Sequence, residues 1–315
     1  MILLQEGREV TNIFITGGTG FVGQTLTKRL TEQGHEVTLL TRAPRKGHLL
    51  PRGASFLIGD PTMPGPWQQK AAGHEVFINL AGSSIFGRWN DKVKREMRES
   101  RIRTTDHLVT AMARGKGSEK HLLSASAIGY YGFRGDEPLD ENALPGNDFL
   151  ANVTVEWEAA ANNARRFGIR VTICRFGIVL GKKGGVLQKL VPLFKSSLGT
   201  SLGRGDQWMS WIHEIDLADV LLFLLDQPDL EGPINCTAPN PVRNREMTTT
   251  LAETLGARTL LPPVPGFMVQ LLMGEFGNVI LKGQNVLPRR LLEEGFPFQF
   301  PTMKEALEDI LKGEV

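Results

Sequence analysis

The sequence predicts an α/β fold, a doubly wound parallel sheet with a smaller C-terminal lobe, and three observations carry that reading. Strand-like and helix-like patterns alternate from residue 11 to residue 180, which places helical crossovers between parallel strands. A glycine-rich turn joins the first apolar strand to the first amphipathic helix. After Gly181 the alternation stops, interrupted by Lys182-Lys183-Gly184-Gly185, a Gly-rich run over 198–205 and a Pro-rich run over 261–266. These signals assign residues 11–182 plus 213–236 to the main domain and residues 183–212 plus 237–315 to the lobe.

The elements are expected in this order. Residues 12–15 form the first strand, and Thr16-Gly17-Gly18-Thr19-Gly20-Phe21-Val22-Gly23 turns into a helix with Phe21, Val22, Leu26 and Leu30 on one face. Gly34 ends that helix, and residues 36–41, 54–58 and 76–80 read as the second, third and fourth strands. A long helix covers 90–114, with Val93, Met97, Leu108 and Met112 among its apolar positions. Residues 121–126 form the fifth strand, 149–167 a helix and 170–173 the sixth strand. The helix pattern at 216–225 returns to the main domain, with Asp216 as its cap. The tail carries a capping box, Thr302-Met303-Lys304-Glu305, before Leu307, Ile310 and Leu311. Residues 1–10 read as a dispensable extension.

Composition removes several classes of function. Charged residues are 22% and apolar residues 41%, ordinary for a globular chain, and the net charge of +2 makes no case for nucleic acid or an anionic membrane. No apolar run approaches the ~20 residues of a bilayer span. The six histidines and two cysteines show no ligand spacing, so no metal site is expected, and Cys174 lies in a strand-like run as an inert buried thiol. The cytoplasm is the expected location.

Strand, glycine turn and helix together form a dinucleotide-binding fingerprint. Gly17 permits the tight turn, Gly20 lets the backbone approach a pyrophosphate, and Gly23 lets helix and strand pack closely. Thr19, Phe21 and Val22 belong to the same cofactor-facing turn, and the helix N-terminus offers free N–H groups to the phosphates. An acidic residue near the end of the second strand usually holds the ribose of NAD. Here Arg42 stands 22 residues after Gly20 (42 − 20), Arg45 and Lys46 follow, and residues 39–58 contain no carboxylate. A guanidinium there suits a 2′-phosphate, which points to NADP.

Several further runs resemble the extended short-chain dehydrogenase/reductases, a family of Rossmann-fold proteins that includes sugar-nucleotide epimerases and dehydratases. Ile58-Gly59-Asp60 resembles its third-strand motif, and Asn79-Leu80-Ala81-Gly82 its fourth. Leu123-Ser124-Ala125-Ser126 resembles the fifth-strand serine motif, and Arg175-Phe176-Gly177-Ile178-Val179-Leu180-Gly181 the segment that wraps the nicotinamide. Trp211-Ile212-His213-Glu214-Ile215-Asp216-Leu217-Ala218 resembles a strand-to-helix element of the family. The resemblance spans 11–236 and implies that Asp60 meets the adenine, while Leu80, Ala81, Gly82, Ser124, Arg175, Phe176 and Ile178 line the cofactor. Ser126-Ala127-Ile128-Gly129-Tyr130-Tyr131-Gly132, Trp157-Glu158-Ala159-Ala160, Gly283-Gln284-Asn285-Val286-Leu287-Pro288-Arg289-Arg290 and Glu294-Gly295-Phe296-Pro297-Phe298 are similar to one atypical branch. Its members carry a C-terminal domain of unknown function.

The departure concerns catalysis. Reductases of this family pair a tyrosine with a lysine four residues later, which lowers the phenol pKa. Tyr130 and Tyr131 are the chain's two tyrosines, and four residues on stand Arg134 and Gly135. Counted back from Glu158, the family's pair falls near Leu150 and Thr154, and its helix asparagine near Arg101. Two readings stay open. In the first, an NADP(H)-dependent oxidoreductase or epimerase-like enzyme uses Tyr130 or Tyr131 as proton donor, Arg101 as cation and Ser126 as orienting hydroxyl on an unidentified small-molecule substrate. In the second, the chain binds NADP(H) and reports its redox state without turnover. Packing is the alternative role for the two tyrosines. Trp208, Trp211 and His213 are candidates to roof a substrate pocket or to fill the core. Glu156 and Glu158, two apart on one helix, face different ways and make no carboxylate pair.

Overall fold

The computed structural model describes residues 10–44, 49–115 and 119–312. Arg45, Lys46 and residues 1–9 of the expected extension lie outside the described residues. Seven parallel strands form the central sheet: β1 (Asn12–Thr16), β2 (Glu36–Thr41), β3 (Ala54–Ile58), β4 (Val76–Asn79), β5 (His121–Ala127), β6 (Arg170–Phe176) and β7 (Gly232–Cys236). Their order is β7-β6-β5-β4-β1-β2-β3. The direction of winding reverses between β1 and β4, and a crevice opens beyond the carboxyl ends of strands at such a point.

Period-two alternation divides the core into two layers. Ile13, Ile15, Val37, Leu39, Ile78, Leu123 and Cys174 join Leu26, Leu30, Leu217 and Leu221 on one face. Phe14, Leu40, Phe77, Leu122, Val171 and Ile173 join Leu108, Met112, Trp67 and Ala161 on the other. The helices on the first face are α1 (Phe21–Glu32) and Glu214–Leu225, and those on the second include Asp91–Ala113 and Phe149–Asn162. Both cysteines are buried free thiols.

Three expectations shift in detail. The helix begun at Phe149 stays α-helical to Asn162 and tightens to a 3-10 turn over Asn163–Phe167, ending at Gly168 with φ +72°. β6 continues to Phe176, because its hydrogen bonds to β5 and β7 extend past the apolar run that marked it. Asp216 is not the cap of the 214–225 helix. His213 is, its Nδ1 accepting from the Ile215 N–H at 3.0 Å. Asp216 sits fully buried in the first turn and accepts from the Gln299 and Phe300 N–H groups at 2.8 and 3.0 Å.

After β6 the chain forms a short strand, Ile178–Gly181, which turns back at Gly184–Gly185 and also pairs in parallel with Trp211–His213. A third core cluster gathers Leu187, Phe194, Trp211, Met247, Leu251, Met303 and Leu307. Leu291 and Phe296, near the C-terminus, pack instead into the α1 face of the central sheet.

Candidate functional site

The glycine loop lies against the end of β4. Gly17 has φ +75°, and a Cβ there would stand 2.7 Å from the Leu80 carbonyl carbon, so the turn needs glycine for both conformation and space. A Cβ at Gly23 would lie 2.5 Å from the Gly17 oxygen. The Gly20 N–H closes the turn onto Gly17 O at 2.9 Å, and the first helical bond of α1 runs from Gln24 N to Gly20 O at 3.0 Å. The N–H groups of Phe21, Val22 and Gly23 precede that bond, make no hydrogen bond among the described residues, and have no side-chain cap at Gly20. Free donors at the positive end of a helix dipole form an anion site.

The other cofactor candidates surround this turn with different exposures. Thr19 is half-buried and accepts from Gln24 Nε2 through its carbonyl at 3.0 Å. Val22 packs on the core, and the Phe21 ring lies over the 181–185 turn, where a Cβ at Gly184 would stand 2.4 Å from it. Arg42 is exposed just beyond the end of β2. Asp60 accepts from Thr62 N and Oγ1 at 2.9 and 2.7 Å. Burial works to raise its pKa, but those bonds and the charge of Arg42 hold the carboxyl below its ordinary value. Phe176 is half-buried, and Ile178 donates its N–H to Ser210 O at 2.9 Å.

Of the four catalytic candidates, the structure brings three together and sets one apart. Ser126 is buried and donates to Glu158 Oε1 at 2.6 Å. Arg175 donates to both oxygens of Glu158 at 2.8 Å and to the Tyr131 hydroxyl at 2.9 Å. Tyr131 is fully buried, its hydroxyl donates to Asn235 Oδ1 at 2.7 Å, and burial pushes its pKa up to about 12. The hydroxyl thus accepts from Arg175 and donates to Asn235. Tyr130 is half-buried, its ring stacked 3.5 Å from the Arg175 guanidinium carbon, and its hydroxyl makes no hydrogen bond among the described residues. Arg175 itself, expected at the cofactor, has its donors committed within this buried cluster.

Arg101 stands elsewhere. It donates to Met97 O and Ser83 O at 2.9 and 3.1 Å and lies 5.3 Å from the Trp157 ring. Burial lowers its pKa to about 10. A Cβ at Gly82 would come within 3.1 Å of its guanidinium, so Arg101 braces the Leu80-Ala81-Gly82 loop from behind. Ser124 is buried beneath, within a polar ladder. There Thr16 donates to Asn79 at 2.7 Å, and Asn79 donates to Thr105 at 2.8 Å and to Ser124 at 3.5 Å.

Glu158, Asn235 and Glu141 were not legible as site residues. Glu141 Oε1 accepts from Asn235 N at 3.0 Å, while its Oε2 is buried without a partner and burial raises its pKa. Glu158 did leave a signal: it shares a helical face with Thr154, Trp157 and Ala161, where a buried carboxylate demands a cation.

Two cavities open among the described residues, and none of these groups lines either. A chamber of about 240 Å³ is walled by Trp89, Phe133, Phe149, Leu150 and Val279, with Asp148, Glu275, Asn278 and Lys282 as its polar lining. Leu150, at the place expected for the family's tyrosine, faces this chamber, while Thr154 is buried and bonds the Leu150 and Ala151 carbonyls. A wider cleft of about 1130 Å³ shares Phe133 and Lys282 with it and carries Trp208, Arg204, Arg243 and Arg245. Arg243 lies 3.9 Å from the Trp208 ring and pairs with Asp136 at 2.8 Å. Trp208 therefore lines a pocket, whereas Trp211 and His213 are buried core residues.

The fold and the glycine-turn crevice together define a dinucleotide-binding α/β protein. Residues 13–236 match the NAD dependent epimerase/dehydratase family, to which the chain belongs, and residues 264–310 match a domain of unknown function. The chain is 38% identical over 318 residues to the chloroplastic homolog of epimerase family protein SDR39U1 from Arabidopsis thaliana, covering 99% of this chain and 90% of that one. It is 36% identical to epimerase family protein YfhF of Bacillus subtilis, covering 95% and 98%. The crystal structure of human epimerase family protein SDR39U1 (isoform 2) with NADPH has a TM-score of 0.83 and 32% identity, covering 95% of this chain and 98% of that one.

Proposed function

We propose that the chain binds NADP(H) along the carboxyl ends of β1 and β4 and acts as an NADP(H)-dependent oxidoreductase or epimerase-like enzyme on an anionic small molecule. The observation that carries the cofactor is the uncapped N-terminus of α1 with exposed Arg42 just past the end of the neighbouring strand β2. The free N–H groups suit the pyrophosphate, and a guanidinium suits the 2′-phosphate. The NADPH in the human SDR39U1 structure supports the same reading. The wide cleft supports the substrate class, with Arg204, Arg243, Arg245 and Lys282 set against Asp136 and Asp206.

Fluorescence titration of both cofactors tests this. Arg42→Ala removes a charge-assisted contact of about 1.5–3 kcal/mol, weakening NADPH roughly ten- to a hundredfold and leaving NADH nearly unchanged. Equal affinity of the unmodified protein for NADPH and NADH overturns the preference.

The second reading, an NADP(H)-binding redox sensor, draws on Leu150 at the chamber wall and on the locked hydroxyls of Ser126 and Tyr131. Tyr130 is then the discriminating residue. Under the enzyme reading, NADPH oxidation on a panel of phosphorylated and carboxylated carbonyl compounds falls about 10²-fold in Tyr130→Phe, with cofactor affinity unchanged. Absence of turnover on every compound, with NADPH-dependent capture of a protein partner, selects the sensor.

A further inference from the structure

The smaller of the two cavities is built unlike the cleft beside it. Its walls, Trp89, Phe133, Phe149, Leu150 and Val279, are all half-buried, so the chamber presents apolar surface that the fold leaves uncovered. Trp89 and Phe149 meet edge to face with ring centroids 5.5 Å apart, and the Trp89 indole N–H donates to the Ile85 carbonyl at 2.8 Å. Three of the four polar lining residues are held by the protein itself. Asp148 Oδ1 accepts from Ala151 N at 3.0 Å, Glu275 pairs with Lys94, and Asn278 Oδ1 accepts from Gln270 Nε2 at 2.9 Å.

Size and chemistry then select the occupant. A dry apolar cavity of about 150 Å³ admits benzene. The chamber, at about 240 Å³, has room for a substituted ring or two fused rings. A sugar of that size needs a partner for each hydroxyl it buries, and these walls supply few. A flat apolar ring meets aromatic and aliphatic surface instead. Phe133 and Lys282 line both the chamber and the wide cleft, and Lys282 Nζ lies 5.6 Å from the centre of the Phe133 ring. The two cavities thus meet at this pair, with a cation at the junction and the arginines of the cleft beyond it.

We propose that the chamber is a ring-binding subsite: it takes an aromatic head of one or two rings, and the cleft takes the anionic group attached to that head. This deepens the proposed function and rests on its assignment of the cleft to an anion. It narrows the substrate from any anionic small molecule to aryl anions, with Lys282 set where head and anion join.

Isothermal titration calorimetry with 2-naphthyl phosphate, 2-naphthol, glucose 1-phosphate and inorganic phosphate, each with and without NADPH, tests the proposal. The expected result is that 2-naphthyl phosphate binds about tenfold or more tightly than either glucose 1-phosphate or inorganic phosphate. Val279→Phe, which fills the chamber, should remove that advantage and leave inorganic phosphate binding unchanged. Should Val279→Phe lose the far-ultraviolet dichroism of the unmodified protein, Leu150→Phe is read in its place. Equal affinity for 2-naphthyl phosphate and glucose 1-phosphate overturns the proposal, as does an advantage that survives in a folded chamber-filling variant. Displacement of 2-naphthyl phosphate by NADPH overturns it too, because the chamber then belongs to the cofactor. Failure of the anion assignment gives a different pattern. Inorganic phosphate then does not bind and 2-naphthol binds as tightly as its phosphate, which overturns the two-part substrate at the cleft rather than at the chamber.

Discussion

Arg175 donates from the end of β6 to Glu158, to the Tyr131 hydroxyl and, at 3.4 Å, to the Glu141 carbonyl, and it stacks on Tyr130. Burial opposes its charge, but the Glu158 carboxylate outweighs burial and holds the guanidinium more firmly protonated than usual. The Arg175 and Glu158 side chains are 4% and 10% exposed, so water can do little for either charge once its partner is gone. Glu158→Ala should therefore cost about 3–5 kcal/mol, whereas Arg175→Met/Glu158→Leu should recover much of that loss. Urea denaturation of both variants checks this, and a loss under about 1 kcal/mol in Glu158→Ala would show that the cluster is hydrated. In the same geometry Ser126 bonds a carboxylate of the 149–162 helix, Tyr131 bonds Asn235 of β7, and Tyr130 alone of these three hydroxyls makes no hydrogen bond among the described residues.

At the scale of elements, the joints are made by side chains that the periodic patterns treat as incidental. Glu214 accepts from Thr25 Oγ1 at 2.8 Å and from Lys182 N at 3.1 Å, tying α1 to the turn that covers its first residue. Asp216, two positions on, holds the backbone of residues 299 and 300 and so docks the tail beside α1. Asp216→Ala leaves two backbone N–H groups without their acceptor in a buried site. We expect a loss of about 2–4 kcal/mol, read as a lower urea midpoint. Faster amide exchange at Gln299 and Phe300 than at the β1 amides should accompany it, and unchanged exchange there would refute the docking role.

For the whole molecule, acid stability follows from two histidines buried in neutral form. Arg170 Nη2 donates to His121 Nδ1 at 2.9 Å, and His121 Nε2 faces Thr172 Oγ1 at the same distance. Burial, then the Arg170 charge, lowers its pKa to about 3. His213 caps a helix through Nδ1 and stacks on Phe300. Burial brings it to about 4, even with Asp309 3.4 Å from Nε2 and raising it. Both folded values lie below the unfolded value of 6.5. As pH falls through that value the unfolded chain takes up protons that the native state refuses, so stability present above it is progressively lost. The loss should reach about 2.5 kcal/mol per histidine near pH 4.5, visible as a falling urea midpoint. A flat profile from neutral pH to about 4.5 would mean that the imidazoles titrate inside the fold.

What the chain declares locally is its architecture and its nucleotide turn. Strand and helix periods, and the glycines at 17, 20 and 23, express steric rules within a few residues of each other. β2 and β3 accordingly run over the residues expected from the pattern, and the Gly17–Leu80 contact sits where a dinucleotide crevice requires it. The roles of Arg175, Glu158, Tyr131 and Asn235 depend on which strand ends and helix faces meet across up to 104 positions of sequence, and no local pattern encodes that meeting. Arg101 and Ser126 look alike as candidates in the sequence. Only packing separated them, placing one behind the fourth-strand loop and the other against a buried carboxylate. Burial turns the same side-chain chemistry into structure or function according to its neighbours, and those neighbours are supplied by the tertiary fold.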